Sequence, residues 1–142
     1  MKEEFYTLKG YKIKNEEVLS SSMEDYIEMI YRLSRKSNEV RVSDLSQALN
    51  VQPPSTTKML KRLAKGNYVF YEKYGYIRLT EKGKDIGGRL LERHRIIFEF
   101  LECIGIKENI LEQTEIIEHA VNKEVLGRLN KLTKFLKDCK AW

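Results

Sequence analysis

Two adjacent prolines, Pro53 and Pro54, are the only prolines in the 142-residue chain. Proline lacks a backbone N–H group and clashes inside a helix, so such a pair fits only the first turn. The prolines therefore mark the start of a helix that continues to Lys65, with Leu60 and Leu63 facing the core. This helix carries four basic residues and no acidic one. Its solvent-facing side is positively charged, which suits an anionic partner.

Two helices are predicted before this one, and a β-hairpin after it. The first helix covers residues 23–36 with Ser22 as its N-cap, and the second follows Ser43 as its N-cap and ends at Leu49. Residues 68–73 and 76–79 are typical of two strands joined by a tight turn. The order helix, helix, turn, helix, hairpin is that of a winged helix-turn-helix, whose third helix fits the DNA major groove.

In such a fold, the third helix and the tip of the hairpin contact double-stranded DNA. Small hydroxyl residues near the start of the helix can reach base edges or phosphates, and lysines suit phosphates. The predicted DNA-contacting residues are Ser55, Thr56, Thr57, Lys58, Lys61, Arg62, Lys65, Lys73 and Tyr74. Residues 23–83 carry 11 basic and 7 acidic residues, so most of the net charge of +5 lies in this part of the chain.

After the hairpin, the sequence predicts one long helix and two shorter ones. The long helix covers residues 81–103, with Thr80 as its N-cap, and its second half is apolar on more than one side. A helix buried on several sides indicates contact with a partner subunit as well as with its own core. The two shorter helices are predicted over residues 108–121 and 124–138.

The predicted fold is mainly α, with an N-terminal winged helix-turn-helix, a small hairpin wing and a C-terminal helical dimerisation domain. The predicted divisions are an arm over residues 1–22, a DNA-binding domain over residues 23–83, and a linking helix with a helical domain over residues 84–142.

Three polar residues near the end of the chain have the spacing of a metal site. Glu115, Glu118 and His119 lie at i, i+3 and i+4, so on a helix their side chains share one face. Two carboxylates and one imidazole on one face form a ligand set for a divalent metal ion.

Similar residues occur earlier in the chain. Asp25 and Glu28 are an acidic pair at helical spacing on the first predicted helix, and His94 is the only other histidine besides His119. Each of these residues also has an ordinary explanation: Asp25 as a capping partner of Ser22, Glu28 as a solvated charge, and a lone histidine as a packed or surface residue. Spacing alone does not decide between these readings.

Several classes of protein are not expected. The chain has no His-Glu-x-x-His, no Glu-x-x-His of the di-iron type, no Cys-x-x-Cys, no glycine-rich phosphate loop and no nucleophile elbow, so no enzyme is predicted. It has no run of 18 apolar residues and no signal-peptide core near Met1, so we expect a cytoplasmic protein without a membrane or protein substrate as partner. Cys103 and Cys139 are expected to be reduced thiols.

Seven separate blocks of sequence share a pattern with one known family. The blocks are Ser22-Met23-Glu24-Asp25-Tyr26-Ile27-Glu28-Met29-Ile30-Tyr31, Arg41-Val42-Ser43-Asp44-Leu45, Thr57-Lys58-Met59, Tyr71-Glu72-Lys73-Tyr74, Leu79-Thr80-Glu81-Lys82-Gly83-Lys84, Arg93-His94 and Ile117-Glu118-His119. These blocks make the chain resemble, over about residues 22–138, the diphtheria-toxin-repressor family, in its manganese transport regulator branch. The arm over residues 1–22 is an addition to the short form of that family.

The resemblance implies a metal site and a mode of regulation. The implied ligands of two Mn²⁺ ions per subunit are Asp25, Glu28, His94, Glu115, Glu118 and His119. The iron-responsive branch usually has Met in place of Asp25 and Cys in place of Glu115, so the hard oxygen donors here favour manganese, with Fe²⁺ or Zn²⁺ as substitutes. The family further implies a homodimer that represses metal-uptake genes by binding a DNA operator when the metal is bound.

Two other functions are compatible with the residues. The first is a winged-helix regulator that responds to a different metal, or to a small organic ligand. The second is a helical metal-storing protein or metal enzyme that binds no DNA, although the acid-free basic helix over residues 53–65 argues against it.

Overall fold

The computed structural model describes Thr7 and residues 19–72 and 75–139, and the fold below refers to these residues. The described part of the chain contains six helices and two strands. They are α1 (Ser21–Lys36), α2 (Val42–Leu49), α3 (Pro53–Lys65), β1 (Val69–Tyr71), β2 (Ile77–Leu79), α4 (Glu81–Cys103), α5 (Ile110–Glu118) and α6 (Lys123–Cys139). The predicted mainly α fold is confirmed, whereas the division at residues 22 and 83 stays a prediction. Most of the predicted arm over residues 1–22 lies outside the described residues.

Helix α1 begins two residues earlier than predicted. Its N-cap is Ser20, whose side-chain oxygen accepts a hydrogen bond from the backbone N–H of Met23 at 3.1 Å. The prediction of Ser22 as the cap is therefore wrong. Asp25 is then not needed as a capping partner, and its carboxylate is available for other contacts.

Helix α2 also begins two residues earlier than predicted. The prediction that Ser43 caps this helix is wrong, because the N-cap is Arg41. The backbone N–H of Arg41 donates to Oδ2 of Asp44 at 2.9 Å. Just before the cap, Val40 forms an isolated bridge with Ile77, which attaches this segment to the hairpin.

The start of α3 agrees with the prediction, since Pro53 and Pro54 occupy its first turn. Thr56 follows them and is fully buried, with Oγ1 accepting a hydrogen bond from Oγ of Ser46 at 2.8 Å. This buried hydroxyl pair joins α2 to α3. The prediction that Thr56 contacts DNA is therefore wrong, because its side chain is covered by the helix-turn-helix itself.

The hairpin has two antiparallel strands of three residues, shorter than predicted. Val69 lies opposite Leu79 and Tyr71 opposite Ile77. The buried sides of the strands join the apolar faces of the first three helices in one core. The fully buried aliphatic residues of this core include Ile27, Ile30, Leu45, Leu60 and Leu63.

Helix α4 is the element that the two halves of the chain share. Thr80 caps it as predicted: Oγ1 accepts from the backbone N–H of Gly83 at 3.0 Å and donates to the carbonyl oxygen of Asn67 at 2.7 Å. Helix α4 packs against α1 and β2 from the first half of the chain and against α5 and α6 from the second half. Helix α5 is shorter than the predicted 108–121, and no helix among the described residues is long and apolar enough to cross a membrane.

The start of α4 approaches the hairpin so closely that only glycine fits. A Cβ atom at Gly83 would lie 2.1 Å from the carbonyl oxygen of Tyr68, which is backbone and cannot rotate away. We expect Gly83→Ala to lower the free energy of unfolding by about 1–3 kcal/mol, the usual cost of overpacking.

The matched control is Gly127→Ala in α6, where nothing lies within 4 Å of the added methyl group. Alanine favours an exposed helix over glycine, so this variant should gain about 0.5–1 kcal/mol. Thermal unfolding compares the two variants, and an unchanged melting temperature for Gly83→Ala would contradict the close approach.

Candidate metal centre

Three elements bring together the six residues predicted to bind metal. Helix α1 carries Asp25 and Glu28, α4 carries His94, and α5 carries Glu115 and Glu118, with His119 at its C-cap. The six side chains form two neighbouring groups that share Glu118. The His119 cluster consists of Asp25, Glu115, Glu118 and His119, and the His94 cluster consists of Glu28, His94 and Glu118. Within each cluster the oxygen and nitrogen atoms that could bind an ion lie within 4.8 Å of one another.

Glu118 joins the two clusters and has no exposed surface. Its Oε2 lies 2.9 Å from Nδ1 of His94. Its Oε1 is buried and has no hydrogen-bond partner among the described residues, with Nε2 of His119 no nearer than 3.7 Å. A buried carboxylate oxygen without a partner is costly, so this position fits a cation. The residues present therefore suit the metal that the sequence predicts.

In the His119 cluster, several carboxylates face one ring nitrogen. Nε2 of His119 lies 2.8 Å from Oδ1 of Asp25 and 3.2 Å from Oε1 of Glu115. Hydrogen bonds to Asp25 and Glu24 raise the pKa of His119 to about 10. Without a metal ion, the protonated ring thus supplies the positive charge among these acids.

The carboxyl groups of this cluster respond in opposite directions. Burial raises the pKa of Glu115 to about 7, and the hydrogen bond it shares with Asp25 acts in the same sense. For Asp25, burial also acts to raise the pKa, but hydrogen bonds from His119 and Glu115 outweigh it and the pKa is lowered. The hydrogen bond between these two carboxyl groups thus raises the pKa of Glu115 and lowers that of Asp25.

In the His94 cluster, an arginine partly balances the acids. The guanidinium of Arg32 donates to Oε2 of Glu28 from Nη2 at 2.8 Å and from Nε at 3.0 Å. Burial, and then the charge of Glu118, still raise the pKa of Glu28. The hydrogen bond to Glu118 raises the pKa of His94. Like the His119 cluster, this group has more negative than positive side chains.

Three residues around the clusters were missed from the sequence: Glu24, Arg32 and Arg93. Oε1 of Glu24 lies 3.0 Å from Nδ1 of His119, and the two guanidinium NH groups of Arg93 lie 3.4 Å from the two oxygens of Glu24. Arg32 follows Glu28 by four positions, the spacing of a helical ion pair, so the sequence contains a signal for this contact. Spacing does not reveal the contact between Glu24 and Arg93, which are 69 positions apart.

The donor set decides which ligands the site could take. The two clusters offer four carboxylates and two imidazoles and contain no sulfur ligand. Such a donor set suits a hard divalent cation. The interpretation of Asp25 as a capping residue is wrong, because its carboxylate contacts His119 rather than the start of α1. Glu28 is buried, so it is not an ordinary solvated charge either.

The predicted DNA-contacting residues fall into three groups. Five residues of α3 are exposed: Ser55, Lys58, Lys61, Arg62 and Lys65. Thr57 is half-buried and Thr56 is buried, as described above. Lys73 and Tyr74, at the tip of the hairpin, lie outside the described residues. The exposed basic side of α3 therefore remains the candidate DNA surface.

Comparison with known proteins identifies the family of both halves of the chain. Residues 18–77 match the family model for the iron-dependent repressor N-terminal DNA-binding domain, and residues 80–141 match that for its metal-binding and dimerisation domain. A relative from Oceanobacillus iheyensis named HTH-type transcriptional regulator MntR is 48% identical over 118 residues, covering 82% of this chain and 80% of the relative. A protein of the same name from Geobacillus thermodenitrificans is 45% identical, covering 82% of this chain and 84% of the relative.

Solved structures show the same fold. The manganese regulator SloR aligns with a TM-score of 0.70 and 29% identity, covering 80% of this chain and 54% of that one. ScaR with bound Zn²⁺ aligns with a TM-score of 0.67 and 30% identity, again covering 80% of this chain and 54% of that one. The chain thus spans about half of the length of these two structures.

Members of this family are transcriptional regulators and not enzymes, in agreement with the absence of catalytic motifs from the sequence. From both matched domains and the identity to its relatives, the chain belongs to the iron-dependent, or diphtheria-toxin, repressor family of metal-dependent DNA-binding transcriptional repressors, in its MntR branch.

Proposed function

We propose that this protein is a Mn²⁺-activated homodimer that represses metal-uptake genes by binding a double-stranded DNA operator in the cytoplasm. The proposed ligands are the members of the His119 and His94 clusters, which would hold two manganese ions per subunit. One observation carries the proposal: the buried Glu118 belongs to both clusters, and one of its oxygens has no hydrogen-bond partner in the part of the chain that the structure describes.

The chemistry of the ligands supports manganese. Asp25 and Glu115 provide oxygen atoms, and neither cluster contains a sulfur atom. Carboxylates suit Mn²⁺, whereas thiolates and thioethers select softer ions. Fe²⁺ and Zn²⁺ are the proposed substitutes. The names of the relatives and of SloR refer to manganese or to MntR, in line with this choice.

The arrangement of the ligands suggests how the metal signal reaches the DNA. A bound divalent cation supplies the positive charge that the four carboxylates need. Asp25 and Glu28 then hold α1 against the residues of α4 and α5. Because α1 shares its core with α3, restraining α1 also restrains the DNA-contacting helix.

In a dimer, two recognition helices must lie one DNA turn, about 34 Å, apart. If the DNA-binding domain moves relative to the dimerisation domain, the free energy of DNA binding includes the entropic cost of fixing their relative orientation. Fixing α1 in advance removes part of that cost, which couples metal binding to DNA binding.

The homodimer is supported by apolar surface on the last two helices. Leu111 and Ile116 of α5 are 64% and 60% exposed, and Phe135 of α6 is 63% exposed. Large apolar side chains that are exposed on a single subunit mark a candidate interaction surface. This surface lies in the part of the chain that matches the dimerisation domain.

The shared carboxylate gives the first test. Glu118→Gln keeps the shape of the side chain but removes its charge, so it weakens both clusters at once. We expect Mn²⁺ affinity to fall by at least about 100-fold, the upper end seen for loss of a supporting group, and metal-dependent operator binding to be lost. The matched control is Glu112→Gln, an exposed residue of the same helix.

Calorimetry measures the metal affinity, and fluorescence anisotropy of a labelled operator measures DNA binding. Full metal-dependent DNA binding by Glu118→Gln would refute the site. Purified wild-type protein that binds no divalent metal, yet responds to a small organic ligand, would support the alternative type of regulator.

Metal affinity is expected to fall as the pH falls. His119, with its pKa raised to about 10, holds a proton that must leave before Nε2 can bind a cation. One released proton makes the apparent affinity rise about tenfold per pH unit. Near pH 7 Glu115 also holds a proton for part of the time, which steepens the dependence below that value. Mn²⁺ titrations at about pH 6 and about pH 8 measure this slope, and equal affinities would contradict it.

The role of α3 predicts how DNA binding responds to salt. Lys58 and Lys61 are exposed on its basic side. If each neutralises one phosphate, Lys58→Ala and Lys61→Ala should each reduce the slope of log affinity against log salt by about 0.9. Lys131→Ala, an exposed lysine of α6, is the control and should leave the slope unchanged. If neither Lys58→Ala nor Lys61→Ala changes the slope, the proposed phosphate contacts are excluded.

A further inference from the structure

We propose that Glu24 is a positioning residue of the metal centre. It accepts the Nδ1–H of His119 and thereby turns Nε2 of that ring toward the ligands. This inference rests on the proposed function, and it gives a role to a carboxylate that belongs to neither ligand cluster.

The two nitrogens of His119 face different groups. Nε2 faces the His119 cluster, 2.8 Å from Asp25 and 3.2 Å from Glu115. Nδ1 faces Oε1 of Glu24 at 3.0 Å. A neutral imidazole that binds metal through one nitrogen carries its proton on the other. A carboxylate that accepts this proton fixes both the tautomer and the orientation of the ring.

Arg93 explains why Glu24 supports the ring rather than joining the ligands. The guanidinium lies 3.4 Å from both oxygens of Glu24, and both side chains are mostly buried, 14% and 19% exposed. The arginine therefore balances the charge of Glu24 and restricts its rotamer. Nη2 of Arg93 is also 3.3 Å from Nδ1 of His119, to which it can donate only if the ring proton is on Nε2. In the proposed tautomer Nδ1 carries the proton, and both groups donate to Glu24.

His94 provides the contrast within the same site. Its Nδ1, and not its Nε2, faces the shared Glu118, at 2.9 Å. Among the described residues, no carboxylate contacts its Nε2, and the ring stacks on Phe98 instead. The two histidines are thus oriented to bind through different nitrogens, Nε2 for His119 and Nδ1 for His94.

The supporting contacts also join the same three elements as the ligands. Glu24 lies on α1, Arg93 on α4 and His119 at the end of α5. The network therefore arranges one edge of the site through protein atoms alone. Because these side chains are ordered in advance, we expect a smaller entropic cost of ordering the site when the metal binds.

Two variants of one residue test the proposal. Glu24→Ala removes the acceptor, and Glu24→Gln keeps an amide oxygen that can still accept from Nδ1–H. Mn²⁺ affinity, measured by calorimetry, should fall by about 10–100-fold in Glu24→Ala, as for other supporting groups of metal-bound histidines. Glu24→Gln should recover most of that loss.

Nitrogen-15 NMR of the histidine rings supplies a readout that a general loss of stability would not change. Zn²⁺ is used here because it is diamagnetic. In the wild type, His119 should carry its proton on Nδ1 and bind through Nε2, and Glu24→Gln should keep this pattern. In Glu24→Ala, His119 should show a mixture of ring states while His94 keeps its own pattern. Glu102→Ala, an exposed residue of α4, is the control and should match the wild type.

The outcomes separate this inference from the proposed function. Wild-type protein that binds neither Mn²⁺ nor Zn²⁺ would refute the proposed function itself. Wild-type binding with unchanged affinity and an unchanged His119 pattern in Glu24→Ala would refute only the positioning role. If Glu24→Gln binds as weakly as Glu24→Ala but keeps the His119 pattern, Glu24 acts through its charge and the positioning role is wrong.

Discussion

One buried carboxylate determines which charged groups surround it in the candidate metal centre. Glu118 has no exposed surface, and one of its oxygens has no hydrogen-bond partner among the described residues. A buried negative charge is costly unless positive charge lies nearby. The chain meets this requirement with His94, whose Nδ1 lies 2.9 Å from one oxygen of Glu118, and with the His119 ring, which is protonated when no metal is bound. Arg32 and Arg93 pair with the neighbouring carboxylates, Glu28 and Glu24, at the edges of the site. The metal-free fold thus uses its own cations where the proposed function places a metal ion.

Part of this site follows from the sequence by simple geometry. The spacing of Glu115, Glu118 and His119 places them on one helical face, and the structure agrees. Spacing says nothing about which face of another helix they meet. The meeting with Asp25, 94 positions before His119, was expected from the family resemblance alone. Local periodicity predicts which side chains share a helix face, whereas long-range packing determines which residues that face contacts.

The errors have physical causes of the same kind. Three consecutive serines, Ser20, Ser21 and Ser22, are all able to cap a helix, and packing selects the first. Thr56 lies among exposed polar residues in the sequence, yet its hydroxyl finds a buried partner on α2. Glu24 has no signal of its role in the sequence, because its contacts with Arg93 and His119 are distant along the chain. In each case several residues satisfy the local rule, and only the tertiary structure distinguishes them.

The continuity of α4 has a consequence for how this sequence can change. The helix has 23 residues and presents Gly83 to the hairpin near its start and His94 to Glu118 further along. Each residue advances an α-helix by about 100°, so one residue inserted between these positions would turn the two contact faces out of phase by that angle. Insertions and deletions should therefore be tolerated in the connection between α4 and α5 but not in this part of α4. The rotational phase of a single helix keeps the DNA-binding half and the metal-binding half in register.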